Sequence, residues 1–283
     1  MLEKTLRLLL AQDYPPGLIR LLLRDDGSTD GTVDVMRALA AEFLAKGFAG
    51  AEIFVNSGPP NLIAARNFLA RKVGPFSDVM LVMDDDVYLE PDSLRRMAAY
   101  FLTLERCAAL GPRVVFESLR GRSAATANFV NRLTGTYRET DPSEPVECDW
   151  LSSCCLLVNM DAWKSVGELC EAFVTMHEEP DFCLRARNAG FRVVYFPRVT
   201  VRHDVDTVMQ RRSRFYYMYR NKAWFIRRNF SVPCRITALF VYLFLGLPKY
   251  LFESIAHNRR LAVAEISDIL RGVRDGLLTH WDR

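Results

Sequence analysis

Between residues 1 and 200 the apolar periodicity switches repeatedly between a helix-like and a strand-like period, and Gly, Pro, Asn or Asp marks each switch. A chain patterned this way builds an α/β domain, because each amphipathic helix can bury its apolar stripe only against a sheet. The spacing predicts helices over Leu2–Ala11, Thr32–Ala45, Leu62–Lys72, Pro91–Leu104 and Asp181–Asn188. It predicts strands over Leu18–Leu23, Glu52–Asn56, Val79–Met83, Ala108–Phe116, Leu156–Asn159 and Arg192–Phe196. Val79–Met83 is an unbroken apolar run, the pattern of a strand covered on both faces. Ser118–Glu147, rich in Gly and polar residues, reads as a loop, and from about Asp206 onward the pattern is helical throughout.

The charge divides at the same place. Residues 1–200 hold 22 Lys/Arg against 27 Asp/Glu, whereas residues 201–283 hold 15 against 7. Half the residues are apolar and a quarter charged, which excludes a disordered or fibrous chain. Seven cysteines in no regular spacing do not read as a disulfide framework and favour a reducing, cytoplasmic setting. The first residues, Met1-Leu-Glu-Lys-Thr-Leu-Arg, lack the apolar core of a signal peptide. Ile236–Leu247 is uncharged but shorter than the ~20 residues of a spanning helix. Arg211, Arg212, Arg214, Arg220, Lys222, Arg227, Arg228 and Arg235 precede it, so residues 211–256 read either as a buried helix or as an attachment to an anionic membrane surface. No nucleic-acid-binding motif accompanies this basic charge.

Three acidic clusters fall at element ends. Asp25-Asp26-Gly-Ser-Thr-Asp-Gly-Thr follows a strand and opens a helix, a place where α/β sheets bind phosphates and equally an ordinary capped turn. Asp84-Asp85-Asp86 ends the buried strand, where mutual repulsion calls for a divalent cation or for solvent. Glu178-Glu179-Pro180-Asp181 opens a helix, where acids cap the dipole or supply a general base. His203 closes the last strand, and Arg66 lies on the helix after Asn61; each is compatible with a structural or a ligand-binding role.

Taken in order, DDGSTDGT, AARN, a strand ending in DDD, WLSSCCLLV, HEEPDFCLRARNAGFRVVYFP and VRH resemble the family 2 inverting glycosyltransferases of the GT-A fold, especially rhamnosyltransferase-like members. The likeness covers nearly the whole chain. It implies a Rossmann-like, mixed and mainly parallel sheet flanked by helices, with a donor-binding part over about 1–87 and an acceptor and catalytic part over about 88–205. A basic, partly apolar helical extension would then occupy 206–283.

The resemblance also implies roles. Asp25 and Asp26 would contact the nucleoside of a nucleotide sugar, with Arg66, Asp84 and Asp85 near its phosphates. Asp84 and Asp86 match the outer acids of the DXD motif and, with His203, would hold Mg²⁺ or Mn²⁺. Glu179 stands at the position of the base, as Glu where Asp is usual, with Asp181 as the alternative. Trp150, Leu151, Ser152 and Glu178 would face the acceptor, and Ser153 replaces a common Gly. The implied reaction moves a sugar, rhamnose in the first instance, to a glycan or lipid-linked hydroxyl in cell-surface polysaccharide synthesis, at the inner face of the membrane; the oligomeric state stays open.

One departure accompanies the likeness. Family members begin with a valine-rich strand before the first helix, whereas this chain starts at that helix. Omitting a central strand leaves buried backbone groups unpaired at about 1–3 kcal/mol each. The readings are a start site placed too late, a substitute strand from elsewhere or from a partner chain, or a truncated, non-catalytic nucleotide-sugar-binding protein.

Overall fold

The computed structural model describes residues 1–116, 123–204, 211–249, 251–252 and 262–281. Helix α1 (Leu2–Leu10) leads through a short turn to strand β1 (Arg20–Asp25), then α2 (Thr32–Ala45), β2 (Gly50–Val55), α3 (Leu62–Val73) and β3 (Val79–Met83). Next come β4 (Val87–Tyr88), α4 (Ser93–Phe101) and β5 (Cys107–Phe116). Four short strands follow, β6 (Ser123–Ala125), β7 (Ala127–Val130), β8 (Tyr137–Thr140) and β9 (Val146–Glu147). Strand β10 (Cys155–Asn159), α5 (Met160–Val166), α6 (Glu178–Asn188) and β11 (Arg192–His203) complete the α/β body. The rest is helical: α7 (Arg211–Asn229), α8 (Val232–Val241), continued by a π turn at Tyr242–Gly246, and α9 (Ala262–Leu278).

The main sheet runs β3-β10-β5-β11-β4, with β6 beside β5 and β9 beside β11. It is mixed, but less parallel than the alternation of helices and strands predicts. Strand β10 is antiparallel to both β3 and β5, and of the main-sheet pairs only β5 with β11 is parallel. Strands β1 and β2 form a separate parallel pair. Among the described residues, no strand lies on the edge of β1 away from β2, or on the edge of β3 away from β10. Side chains from both flanks, Leu21 and Leu23 of β1 and Leu81 and Met83 of β3, nevertheless share one apolar core with α1, α2 and α4.

Several expected boundaries move for identifiable reasons. Helix α4 starts at Ser93 rather than Pro91, because Gln12 Oε1 accepts from the Leu94 N–H and Asp92 takes the cap position. Strand β11 continues past Phe196 to His203 after a register shift between Phe196 and Thr200, where Pro197 has no N–H to give the ladder. The stretch read as loop before Glu147 instead supplies β6 to β9, which at two to four residues each are too short to show an alternation; residues 117–122 within it lie outside the described residues, as do 205–210, where the expected boundary near 205 falls, and 253–256.

The extension packs on the body and on itself. Tyr219, Phe225 and Ile226 of α7 are buried against Ala238 and Tyr242 on one side and Ile269 and Val273 of α9 on the other. Val232–Lys249 is 18 residues long and apolar enough to cross a membrane by length and composition, and only 6% of it is buried. Val232, Ile236, Phe240 and Phe244, one helical turn apart, are 58–65% exposed and form a bare stripe.

Candidate active site

The site is assembled where strand ends, one helix and two turns converge. Strand β3 runs antiparallel to β10, and Asp84 extends that ladder by donating its backbone N–H to the Cys154 carbonyl at 2.9 Å. This fixes the first acid of the triplet at the edge of the sheet. Asp86 is fixed from the other side, since its carbonyl accepts from the Asp204 N–H at 3.0 Å, just past the end of β11. His203 Nε2 thereby lies 2.9 Å from Asp86 Oδ1.

Ligand atoms of Asp84, Asp86 and His203 all fall within 4.8 Å of one another. Asp86 Oδ1 is buried and receives no well-aligned hydrogen bond. Two carboxylate oxygens and an imidazole nitrogen are a donor set that suits Mn²⁺ or Mg²⁺, so the residues present fit a divalent cation. Without a cation, burial favours the neutral His203 ring, but hydrogen bonding to Asp86 and Cys154 outweighs it and raises the pKa to about 10. Burial also raises the Asp84 carboxyl, against the pull of Arg66.

Arg66 is the hub. Asn61 caps α3 by accepting from the Ile63 and Ala64 N–H groups, and its own N–H donates to Asp26 Oδ2 at 3.1 Å, so the helix start is pinned to the loop after β1. One turn on, the nearly buried Arg66 guanidinium donates to Asp84 Oδ1 at 2.8 Å and to Glu178 Oε1 at 3.1 Å. Burial and the adjoining Glu179 push the Glu178 carboxyl up, and its Oε2 has no partner. Glu179 points elsewhere: its Oε1 accepts from the Ser153 hydroxyl at 2.7 Å. Arg66, Ser153 and Glu179 line one cavity together with Val82 and Leu156.

Other residues singled out in the sequence stand apart from this group. Asp25 is buried and accepts from the Gly27 and Ser28 N–H groups, a turn-forming role. Asp26 accepts from Arg24 as well as Asn61. Asp85 is exposed, and its carbonyl holds Thr5 of α1. Asp181 is fully buried and already engaged by Arg185, Arg228 and Asn229, so it cannot meet an acceptor hydroxyl. Leu151 lies in the core against Gly111, Ser152 accepts from the Cys154 N–H, and Glu178 faces Arg66 rather than an acceptor surface. Trp150 packs on Tyr137 with its ring N–H unpaired. Leu151, Glu178 and Asp181, expected at the acceptor side or as the base, are thus buried, which one-dimensional spacing does not reveal.

Residues 1–167 match the sequence model described as Glycosyl transferase family 2. The chain belongs to this family. It is also similar to the N-acetylglucosaminyl-diphospho-decaprenol L-rhamnosyltransferase of Mycobacterium tuberculosis, 32% identical over 208 residues. That match takes in 65% of this chain and 66% of the relative, just under two thirds of its length.

Among solved structures, this family 2 glycosyltransferase is similar to a mannosyltransferase from Pyrobaculum calidifontis in complex with GDP-Man and Mn²⁺. The TM-score is 0.60 at 14% identity, covering 98% of this chain and 83% of that one. It is likewise similar to TarS 1–349 of S. aureus, with a TM-score of 0.57 at 15% identity, covering 97% of this chain and 77% of that one. These likenesses establish the GT-A fold.

Two sets of contacts that the sequence does not reveal matter to the geometry. Ser153 holds Glu179, and Asn221 and Arg220 of α7 hold the backbone in front of it. Nothing in the helical pattern around residue 220 marks them, because their partners are main-chain carbonyls 45–48 residues away.

Proposed function

We propose that this glycosyltransferase moves rhamnose from a thymidine-diphosphate donor to a hydroxyl of a lipid-linked glycan, with a divalent cation and inversion at the anomeric carbon. The observation that carries the reading is the placement of Glu179, held by Ser153 in the same cavity as Arg66, whose other contact is Asp84 of the metal-binding cluster. The similarity to the mycobacterial N-acetylglucosaminyl-diphospho-decaprenol L-rhamnosyltransferase supports the sugar and the lipid-diphosphate acceptor. The metal bound in the mannosyltransferase complex supports Mn²⁺ or Mg²⁺.

In this reading Glu179 takes the proton of the acceptor hydroxyl as the oxygen attacks the anomeric carbon from the face opposite the nucleotide. Arg66 keeps positive charge at Asp84 and Glu178, beside the path of the leaving phosphate. A cation on Asp84, Asp86 and His203 would neutralise charge on the diphosphate. The bare stripe of Val232, Ile236, Phe240 and Phe244, flanked by basic residues, rests on an anionic membrane at the cytoplasmic face, where lipid-linked acceptors are met.

A second reading is a non-catalytic nucleotide-sugar-binding protein; among the described residues no strand pairs with the outer edges of β1 and β3. Thermal stability against a panel of nucleoside diphosphates and nucleotide sugars, with and without Mn²⁺, tests donor binding. A ligand at a hundred times its dissociation constant adds about 2.7 kcal/mol. A Mn²⁺-dependent rise with one nucleotide, lost in Asp86→Asn, is the expected result; no rise with any nucleotide contradicts the proposal. Turnover in the same samples separates the two readings.

A further inference from the structure

The backbone immediately before Glu178 is unusual. Val174, Met176 and His177 all have positive φ, at 65°, 64° and 69°, although none is glycine and Val is β-branched. Around Val174 the Thr175 N–H donates back to the Phe173 carbonyl at 2.7 Å with φ 65° and ψ −48°, a γ-turn of the rare strained kind. Such a segment persists only when its surroundings over-determine it.

What over-determines it comes from the helical extension. The fully buried Asn221 of α7 donates its side-chain N–H groups to the carbonyls of Phe173 at 2.9 Å, Thr175 at 2.6 Å and Met176 at 3.0 Å. Arg220 Nε donates to Asn221 Oδ1 at 3.0 Å, which turns the amide so that its N–H groups face the loop. The same guanidinium donates to the carbonyls of Ala172 at 2.6 Å and Phe173 at 3.2 Å and stacks 4.1 Å from the Trp224 ring. Helix α9 closes the arrangement from behind. A Cβ at Gly272 would meet the Tyr216 carbonyl at 2.5 Å, and one at Gly276 would meet the Arg220 carbonyl at 2.7 Å, so two glycines a turn apart let α9 seat directly on the backbone of Arg220.

We propose that Asn221 is a positioning residue for Glu179, so that α7, backed by α9, is an obligatory part of the active site rather than a tether alone. The inference rests on Glu179 being the base. Its logic is geometric: the γ-turn and the left-handed His177 set where α6 begins, and the first turn of α6 carries Glu178 to Arg66 and Glu179 to Ser153. Without the three bonds from Asn221 the strained loop relaxes and the Glu179 carboxylate leaves the cavity.

The test uses the whole chain with Asn221→Ala, Asn221→Asp and Gly276→Ala. Asn221→Asp keeps the shape of the side chain but sets a carboxylate oxygen against the three carbonyls where the donor was, so the positioning role predicts a loss at least as large as for Asn221→Ala. Hydrogen exchange of the peptide spanning 174–179 is expected to quicken about tenfold or more in all three variants, with β5 and β10 unchanged. The kcat for rhamnose transfer is expected to fall about a hundredfold, while the affinity for thymidine diphosphate with Mn²⁺ stays within about twofold. Unchanged loop exchange, or wild-type kcat in Asn221→Asp, overturns the proposal; so does equal loss of nucleotide affinity, which marks a general collapse. If wild-type protein itself transfers nothing, the functional reading fails, and the exchange comparison still decides whether Asn221 holds the loop.

Discussion

A carboxylate accepts a proton efficiently only when its oxygen is aimed, and Glu179 is aimed by the hydroxyl of Ser153. Glu179→Gln keeps that hydrogen bond but not the basicity, so turnover should drop by about 10²–10⁴-fold with nucleotide binding unchanged, checked by initial rates beside calorimetric titration. Lys222 offers a different residue-scale test. Burial without a carboxylate partner lowers its pKa to about 7, and it sits 3.6 Å above the Tyr137 ring. The unfolded chain therefore holds this proton between about pH 7 and 10.5 while the folded one has lost it, so stability rises with pH across that window and is forfeited as pH falls toward 7. Denaturant titrations at several pH values should show a slope approaching about 1.4 kcal/mol per unit from this group, absent in Lys222→Met. Asp84 and Asp86 were legible in the sequence because they follow the predicted strand Val79–Met83, whereas His203 lies beyond the predicted end of its strand. Asn221 left no such mark, and Ser153 and Lys222, visible as a replaced Gly and as part of a basic run, gave no sign of their partners, which are distant in sequence.

At the scale of elements, α6 is held at both faces. Its first turn meets Arg66 of α3, and Asp181, fully buried, takes hydrogen bonds from Arg185 of the same helix and from Arg228 and Asn229 of α7. Asp181→Asn leaves two guanidinium groups without their shared counter-charge. Because both arginines are partly exposed, the loss should be about 2–4 kcal/mol of folding stability, short of a fully buried pair, measurable by urea unfolding. Helices α2 and α3 follow their periodicity almost to the residue, since each has one continuous face on the core, and β3 matches its apolar run because its two faces pack on two apolar clusters. Strands β6 to β9 do not, because strands of two to four residues are too short to carry an alternation and owe their existence to the strands they pair with. Antiparallel β10 was visible as a strand, but its direction depends on a connection that periodicity does not encode.

For the whole molecule, the charge step near residue 200 coincides with a change of architecture, from an α/β body to helices that hold the loop before Glu178 and expose an apolar stripe. Burying one Phe side chain in a lipid interface contributes about 1.5–3 kcal/mol. The double variant Phe240→Ser, Phe244→Ser should therefore lose most of its sedimentation with anionic vesicles while nucleotide binding persists; sedimentation equal to wild type removes the membrane contact. The proposed reaction is inverting, metal-dependent transfer of rhamnose. NMR of the product formed from thymidine-diphosphate rhamnose and an N-acetylglucosaminyl-diphospho-prenol acceptor, with Mn²⁺ and then with excess chelator, reads both properties at once. The expected product is a glycoside whose anomeric configuration is opposite to that of the donor, formed only with the metal present. A product with retained configuration, or one formed equally in chelator, would contradict it.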